Sequence, residues 1–264
     1  MLRRRPLLRL VLLAAFALMT GDASAADLRV MISAGFFGVY SELAPAFERS
    51  SGHHLITIRG PSLGDSPESI PSRLTRGEAA DVAILDGSAA DALGKRGLLR
   101  AESKTDLARS QIGMVVRAGA DKPDIGSVDK FRDALLAAKS IAYSDSSSGT
   151  YLSTVLFAKL GIADQVAPKA KKIRGPPSGE PVAAVVARGE AEIGFQQVSE
   201  LIHVPGISFV GPIPAEVQLE TLFAAAITRN AAEPDAALAL IRFLTSPDAA
   251  PTITKAGLSP LAGR

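Results

Sequence analysis

The chain has 264 residues, 47% of them hydrophobic, with 29 basic and 27 acidic side chains, no Cys, no Trp and three Tyr. The lack of Cys excludes disulfides, thiolate metal sites and a cysteine nucleophile. Balanced charge with few stacking aromatics does not fit a nucleic-acid binder.

The first residues read as an export leader. Arg3, Arg4, Arg5 and Arg9 form a positive segment, residues 10–19 an apolar core, and Ala23-Ser24-Ala25 a small-residue cleavage pattern. The apolar run is about half the length a spanning helix needs, so residues 1–25 are expected to be removed. Residues 26–264 hold 25 basic and 26 acidic side chains. The whole-chain pI of 8.9 therefore belongs mainly to the leader. With no Cys to carry lipid, a free periplasmic product is expected, and its length suits two lobes.

Short β-rich runs alternate with helical ones. Residues 28–32 predict a buried strand and 37–50 an amphipathic helix stopped by Gly52. Strand 55–58 runs into a turn-rich loop at 60–67. Helix 70–76, strand 81–85, helix 88–96 and strand 112–117 come next. The second half reads helix 128–138, strand 140–143, a Ser-rich loop, helix 150–160, strand 170–173, helix 181–188 and strand 192–196. Residues 217–227 look extended, and helices 234–245 and 248–256 close the chain. This alternation predicts α/β architecture with mixed, mainly parallel sheets covered on both faces.

Two echoes link the halves. Ile58-Arg59-Gly60-Pro61-Ser62 is matched by Ile173-Arg174-Gly175-Pro176-Pro177-Ser178, and the Arg76-Gly77-Glu78-Ala79 stop by Arg188-Gly189-Glu190-Ala191. Each pair reads strand, Arg-Gly-Pro turn, helix, Gly stop, strand, in the same order, which favours duplication of a lobe.

In such sheets ligands sit beyond the carboxyl ends of strands, where helix N-termini offer unpaired N–H groups to anions. Four loops fit this role: Ser33 to Gly35, Gly60 to Gly64 with Ser62, the segment carrying Ser147, Ser148 and Gly149, and the turn holding Ser178. Arg59 and Arg174, at matching places in the two halves, are the candidates for a two-armed clamp on a polycarboxylate; two solvent-facing arginines are the plain alternative. Gln196 and Gln197, at the end of an apolar strand, have amides able to donate to a carboxylate, or serve equally well as a satisfied hinge pair. Tyr151 flanks the Ser-rich loop. His53, His54 and His203 show no metal-ligand spacing, and Asp65, Asp145 and Glu180 fit turns or caps better than catalysis. No metal or cofactor is expected.

The order of leader, first strand with its Ser/Gly turn, Arg73-Leu74-Thr75-Arg76-Gly77-Glu78-Ala79-Ala80-Asp81-Val82 and Gly189-Glu190-Ala191-Glu192-Ile193-Gly194-Phe195-Gln196-Gln197 resembles the periplasmic molybdate-binding protein family of ABC transporters. The resemblance spans the mature chain and implies the two-lobed type II periplasmic-binding-protein fold, with the C-terminal segment returning to the first lobe. The expected division is 26–112 with 222–264 in lobe 1 and 113–221 in lobe 2. The resemblance also implies a tetrahedral oxyanion held by Ser hydroxyls, backbone N–H groups and a Tyr. Here Gly35 replaces the first-turn Ser, Gly60-Pro61-Ser62 stands for Gly-Ser-Ser with an insertion through Ile70-Pro71, and Gln197 stands at the Tyr position. The segments 60–64, 68–71 and 195–201 are more similar to a divergent branch that includes periplasmic aconitate isomerase, which implies a tricarboxylate and an allylic proton shift without cofactor. The resemblance thus implies two functions. One is a monomeric binding protein handing a small anion to an ABC transporter permease. The other is an isomerase on the same scaffold, its base not assignable from sequence.

Overall fold

The computed structural model describes residues 25–261, so residues 1–24 of the expected leader lie outside the described residues. In chain order the elements are β1 (Asp27–Ile32), α1 (Ala34–Ser51), β2 (His54–Arg59), α2 (Ile70–Thr75), β3 (Val82–Asp86), α3 (Gly87–Lys95), β4 (Thr105–Ser110), β5 (Ile112–Arg117), α4 (Val128–Ala137) and β6 (Ile141–Ser144). Then come α5 (Ser147–Tyr151), a π-helical stretch over Leu152–Leu156, α6 (Phe157–Lys159), α7 (Ala163–Val166), β7 (Ala170–Ile173), α8 (Val182–Ala187), β8 (Ile193–Gln197) and α9 (Val198–Leu201). The chain ends with β9 (Ile207–Pro212), β10 (Thr221–Ile227), α10 (Pro234–Leu244), α11 (Ala250–Lys255) and β11 (Ser259–Pro260).

The strands form two sheets, ordered β11-β4-β10-β3-β1-β2 and β7-β6-β8-β5-β9. Both are mixed. Parallel pairing holds β1 to β2 and β3, and β6 to β7 and β8. The other pairs, made by β4, β5, β9, β10 and β11, are antiparallel. Parallel pairing is thus confined to the β-α repeats, and the expectation of mainly parallel sheets gives way to an even mixture. The reason is topological: β4 belongs to the first sheet and β5 to the second, with only Gln111 between them, and β10 returns to the first sheet after β9. Crossing strands meet the repeats head to tail.

Each sheet is covered on both faces, so β3 and β8 bury every residue and the apolar residues of the inner strands alternate between two cores. In β1, Leu28, Val30 and Ile32 face α1 and α10 (Val39, Leu240), while Met31 faces α2 and α3 (Ile70, Leu74, Leu93). In the second sheet, Met114 and Phe195 pack with Phe131 and Leu156, and Val115 and Ala142 with Val182 and Val186.

Three expectations shift. Helices α1 and α5 start at Ala34 and Ser147 rather than 37 and 150, because their first turns are small residues that carry no apolar period but accept helical geometry at a strand end. β4, β9 and α9 were not foreseen: Thr-Asp-Leu-Ala-Arg-Ser has no sustained alternation, and a one-turn helix leaves no periodic signature. Within 217–227 only β10 is strand; a 3-10 turn, Ala215–Val217, precedes it.

Candidate functional site

The carboxyl ends of β1, β2, β6, β7 and β8 open onto one cleft shared by the two sheets. From the first sheet's side come Ser33, Ala34 and Gly35 after β1, Gly60, Pro61 and Ser62 after β2, and Phe223 of β10. From the second come Ser144 to Ser147 after β6, Gly175 and Pro176 after β7, and Gln196, Gln197 and Glu200 around the end of β8.

Several sequence candidates meet here. Ser33 is the N-cap of α1, yet its side chain makes no capping bond; its buried Oγ has no partner among the described residues. A buried hydroxyl left unpaired is costly, and an anion in the cleft would satisfy it. The Ser62 Oγ accepts from the Asp86 N–H at 3.0 Å, leaving its hydrogen free to donate. Ser147 also lines the cleft. Gln197 has its Nε2 at 2.8 Å from the Thr221 hydroxyl and its buried Oε1 unpaired. Turning that amide over lets Thr221 donate to Oε1 and leaves the NH₂ free for a carboxylate, which is the assignment an anion would select.

Gln196 is not a free donor. Its Oε1 accepts from the Val182 N–H at 3.0 Å and its Nε2 donates to Glu200 Oε2 at 2.5 Å. Because the backbone N–H can only donate, this amide has one orientation, with its NH₂ toward Glu200.

Gly35 touches the cleft for a packing reason: a Cβ there would lie 2.1 Å from the tip of the Phe223 ring. The aromatic ring fills the space that a side chain at the first turn of α1 would occupy. Gly35→Ala is expected to lower stability by about 1–3 kcal/mol, as overpacking does. Thermal denaturation should show the loss largely restored in Gly35→Ala/Phe223→Leu.

Other candidates lie elsewhere. Tyr151 donates to the Val217 carbonyl at 2.9 Å, packs against the second sheet's core and is not part of the cleft lining. Ser148 is fully buried with its Oγ 3.0 Å from that of Ser144. At Gly149 a Cβ would fall 1.6 Å from the Ser144 carbonyl oxygen, so its role is close backbone packing. Arg174 and Ser178 stand outside the cleft lining, both bonded to Glu68. The two matched arginines therefore do not take equivalent places at the cleft. Arg59 remains at the site's edge: its guanidinium sits 4.0 Å over the Phe37 ring, its buried Nε has no partner, and it forms no ion pair among the described residues.

Glu200 was not among the candidates. It lies in the one-turn α9, four residues after Gln196, and forms part of the cleft wall. Burial is the main influence on its carboxyl and pushes it up to about 7; the Gln196 hydrogen bond and the Arg59 charge oppose this, and the Asp145 charge adds to it. The one sequence signal was the i, i+4 spacing of Gln196 and Glu200 across a strand end.

Residues 28–259 match the family model of the bacterial extracellular solute-binding proteins. The chain belongs to that family. It is 47% identical over 234 residues to an aconitate isomerase of Pseudomonas sp, covering 89% of this chain and 88% of that one. Among solved structures, the periplasmic molybdate-binding protein of Azotobacter vinelandii superposes with a TM-score of 0.70 at 20% identity, over 89% of this chain and 100% of that one. The sulfate-binding protein SubI of Mycobacterium tuberculosis H37Rv gives 0.70 at 20% identity, over 89% and 87%. These two structures establish the two-sheet binding-protein fold.

In this solute-binding protein the mouth of the cleft is bridged. Glu68, in the loop between β2 and α2, accepts from Ser178 Oγ at 2.5 Å and from Arg174 Nη2 at 3.3 Å, both from the turn after β7. The Ser178 bond chiefly holds the Glu68 carboxyl below the usual range, with Arg174 and Arg73 assisting. An exposed bridge of this kind adds little to global stability, but it ties the loops of the two sheets together. Glu68→Ala is expected to speed ligand release several-fold in stopped-flow displacement while shifting the thermal midpoint by less than about 2 °C.

Proposed function

We propose that this solute-binding protein takes a small unsaturated polycarboxylate, aconitate, into the cleft and interconverts its isomers. The observation that carries the reading is a set of buried polar atoms without partners among the described residues: Ser33 Oγ and Gln197 Oε1 in the cleft wall, and Arg59 Nε in the residue before Gly60 of that wall. A cation and neutral donors around one cleft suit a molecule carrying several carboxylates. The relative named aconitate isomerase, aligned over most of both chains, supplies the reaction class.

The strand membership of the two sheets supports taking 26–112 with 222–264 as one lobe and 113–221 as the other. The leader-like N-terminus supports export to the periplasm, and the chain is taken to act as a monomer. Delivery of the same ligand to an ABC transporter permease is the second reading, supported by the likeness to binding proteins. The aconitate isomerase relative is the support for taking turnover ahead of delivery.

One experiment separates the two. Purified protein is mixed with trans-aconitate and followed by ultraviolet absorbance, with thermal shifts by citrate and molybdate alongside. Approach to a fixed cis/trans ratio supports the isomerase. Tight tricarboxylate binding without turnover supports the carrier. A shift by molybdate alone rejects both polycarboxylate readings.

A further inference from the structure

We propose that Glu200 is the proton carrier of this site, taking a proton from the methylene carbon of the substrate and returning it to the far end of the same allyl unit, with Gln196 as its positioning residue. The proposal rests on the isomerase reading and adds the group that performs it.

The cleft lining contains two carboxylates, Asp145 and Glu200. Asp145 is built into the frame of the loops: its backbone N–H donates to the Ile173 carbonyl at 3.0 Å, and its Oδ1 accepts from the Gly175 N–H at 3.1 Å. That arrangement joins the turn after β6 to the turn after β7. Glu200 is held differently. One oxygen, Oε2, is anchored by Gln196, and Oε1 has no hydrogen-bond partner among the described residues. The anchor cannot rotate, because the Gln196 Oε1 is fixed by the Val182 N–H and the whole side chain is 2% exposed. Glu200 thus presents one free oxygen from a fixed direction, the geometry a proton carrier needs.

Its surroundings match the task. Burial and the neighbouring Asp145 favour the protonated acid, while Arg59 and the Gln196 NH₂ favour the carboxylate. A group balanced in this way exchanges protons near neutrality.

The step balances without a co-reactant. Glu200 Oε1 accepts the methylene proton as that C–H bond breaks, and the electron pair spreads over three carbons and the attached carboxylates. A new double bond forms between the former methylene carbon and the central carbon as the old one becomes single. The Glu200 acid then gives its proton to the former vinylic carbon. The two carbons are about 2.5 Å apart, two ordinary bonds, so a small shift of one carboxyl serves both. The developing negative charge lies beside Arg59, the Gln197 amide and the N-terminus of α1 at Ser33.

The test compares wild type, Glu200→Gln, Glu200→Asp, Asp145→Asn and Gln196→Leu, with aconitate turnover by ultraviolet absorbance and aconitate binding by calorimetry. Glu200→Gln is expected to lose roughly 10²–10⁴-fold in kcat while binding within about threefold of wild type, which also shows that it folds. Glu200→Asp, with a shorter reach, should keep partial activity, and Asp145→Asn should stay within about tenfold. Gln196→Leu removes a donor to the charged form, so its pH–rate limb should move to higher pH with KM little changed; a merely structural role would not move that limb. Near-normal turnover by Glu200→Gln overturns the proposal. So does equal loss in Asp145→Asn with binding intact, which would assign the step to the pair. A wild-type protein inert toward both isomers removes the isomerase reading itself, and the proposal with it.

Discussion

Glu200→Gln is expected to be more stable than wild type above neutral pH, by on the order of 2 kcal/mol, with the advantage shrinking toward pH 5. The Glu200 carboxyl is raised from 4.5 in the unfolded chain to about 7 in the folded one. Its protonated form therefore favours folding below 4.5, and that contribution is lost as pH rises from 4.5 through about 7. Above that window the folded state holds a poorly solvated carboxylate that the unfolded state does not. Each unit of separation corresponds to about 1.4 kcal/mol; the partial exposure of Glu200 to the cleft brings the expected figure below the full product. Glutamine keeps the shape and accepts from Gln196 without ever ionising. Melting curves of both proteins at pH 5, 6, 7 and 8 should diverge by several degrees at the alkaline end. Parallel curves would mean that Glu200 is well solvated.

The same ionisation is expected to set the rate of the proposed isomerisation. A base must be ionised to accept a proton, so kcat/KM should rise with pH through about 7 and then level, reporting the free protein. Anion binding runs the other way, because a neutral Glu200 repels a carboxylate less than an ionised one. Affinity for a non-reacting tricarboxylate such as citrate should therefore weaken over the range where turnover rises. Calorimetry at pH 6 and 8, set beside the rate profile, checks the opposition. It is specific to Glu200, the carboxylate that faces Arg59, Asp145 and Gln196 together.

The architecture was legible because punctuation is local. Gly52, Gly77, Gly97, Gly161 and Gly189 all take positive φ at helix stops, a conformation glycine adopts at no steric cost, and the runs between them show their period directly. Half the candidate residues, Ser33, Gly35, Ser62, Ser147, Gln196 and Gln197, line one cleft for the same reason, lying at or just after strand ends that topology brings together. What stayed hidden depends on partners distant in sequence. Arg174 matches Arg59 in the repeat, but its place is decided by Glu68, 106 residues away in an inserted loop. Tyr151 looked free until Val217, 66 residues on, took its hydroxyl. Glu200 reads as an ordinary helix charge; only the enclosure of α9 between Gln196, Arg59 and Asp145 gives it chemistry.

The repeat makes a sharp comparison possible, because the two arginines should no longer behave alike. Arg59→Ala is expected to weaken tricarboxylate binding by roughly 10–100-fold, the loss of one charge-assisted contact of about 1.5–3 kcal/mol. Arg174→Ala should change it by less than about threefold. Arg59 directly precedes Gly60 of the cleft wall, and its guanidinium is pre-ordered over Phe37 with no acidic side chain bonded to it among the described residues. Its donors are thus available to a ligand without breaking a bond. Arg174 has a side chain 57% exposed and already holds Glu68, so a ligand would have to displace that carboxylate. Arg59→Lys should fall between wild type and Ala, because an ammonium keeps the charge but loses the planar fork and the stacking on Phe37. Removing Arg59 also takes away the cation that favours ionised Glu200. Arg59→Ala should accordingly shift the pH–rate limb upward, whereas Arg174→Ala should leave it in place. Calorimetric titration with citrate, paired with pH–rate profiles of both variants, reads the two effects separately. Equal losses of affinity in the two variants would restore the symmetric clamp, and an upward limb shift in Arg59→Ala without weaker binding would reduce Arg59 to a neighbour of Glu200.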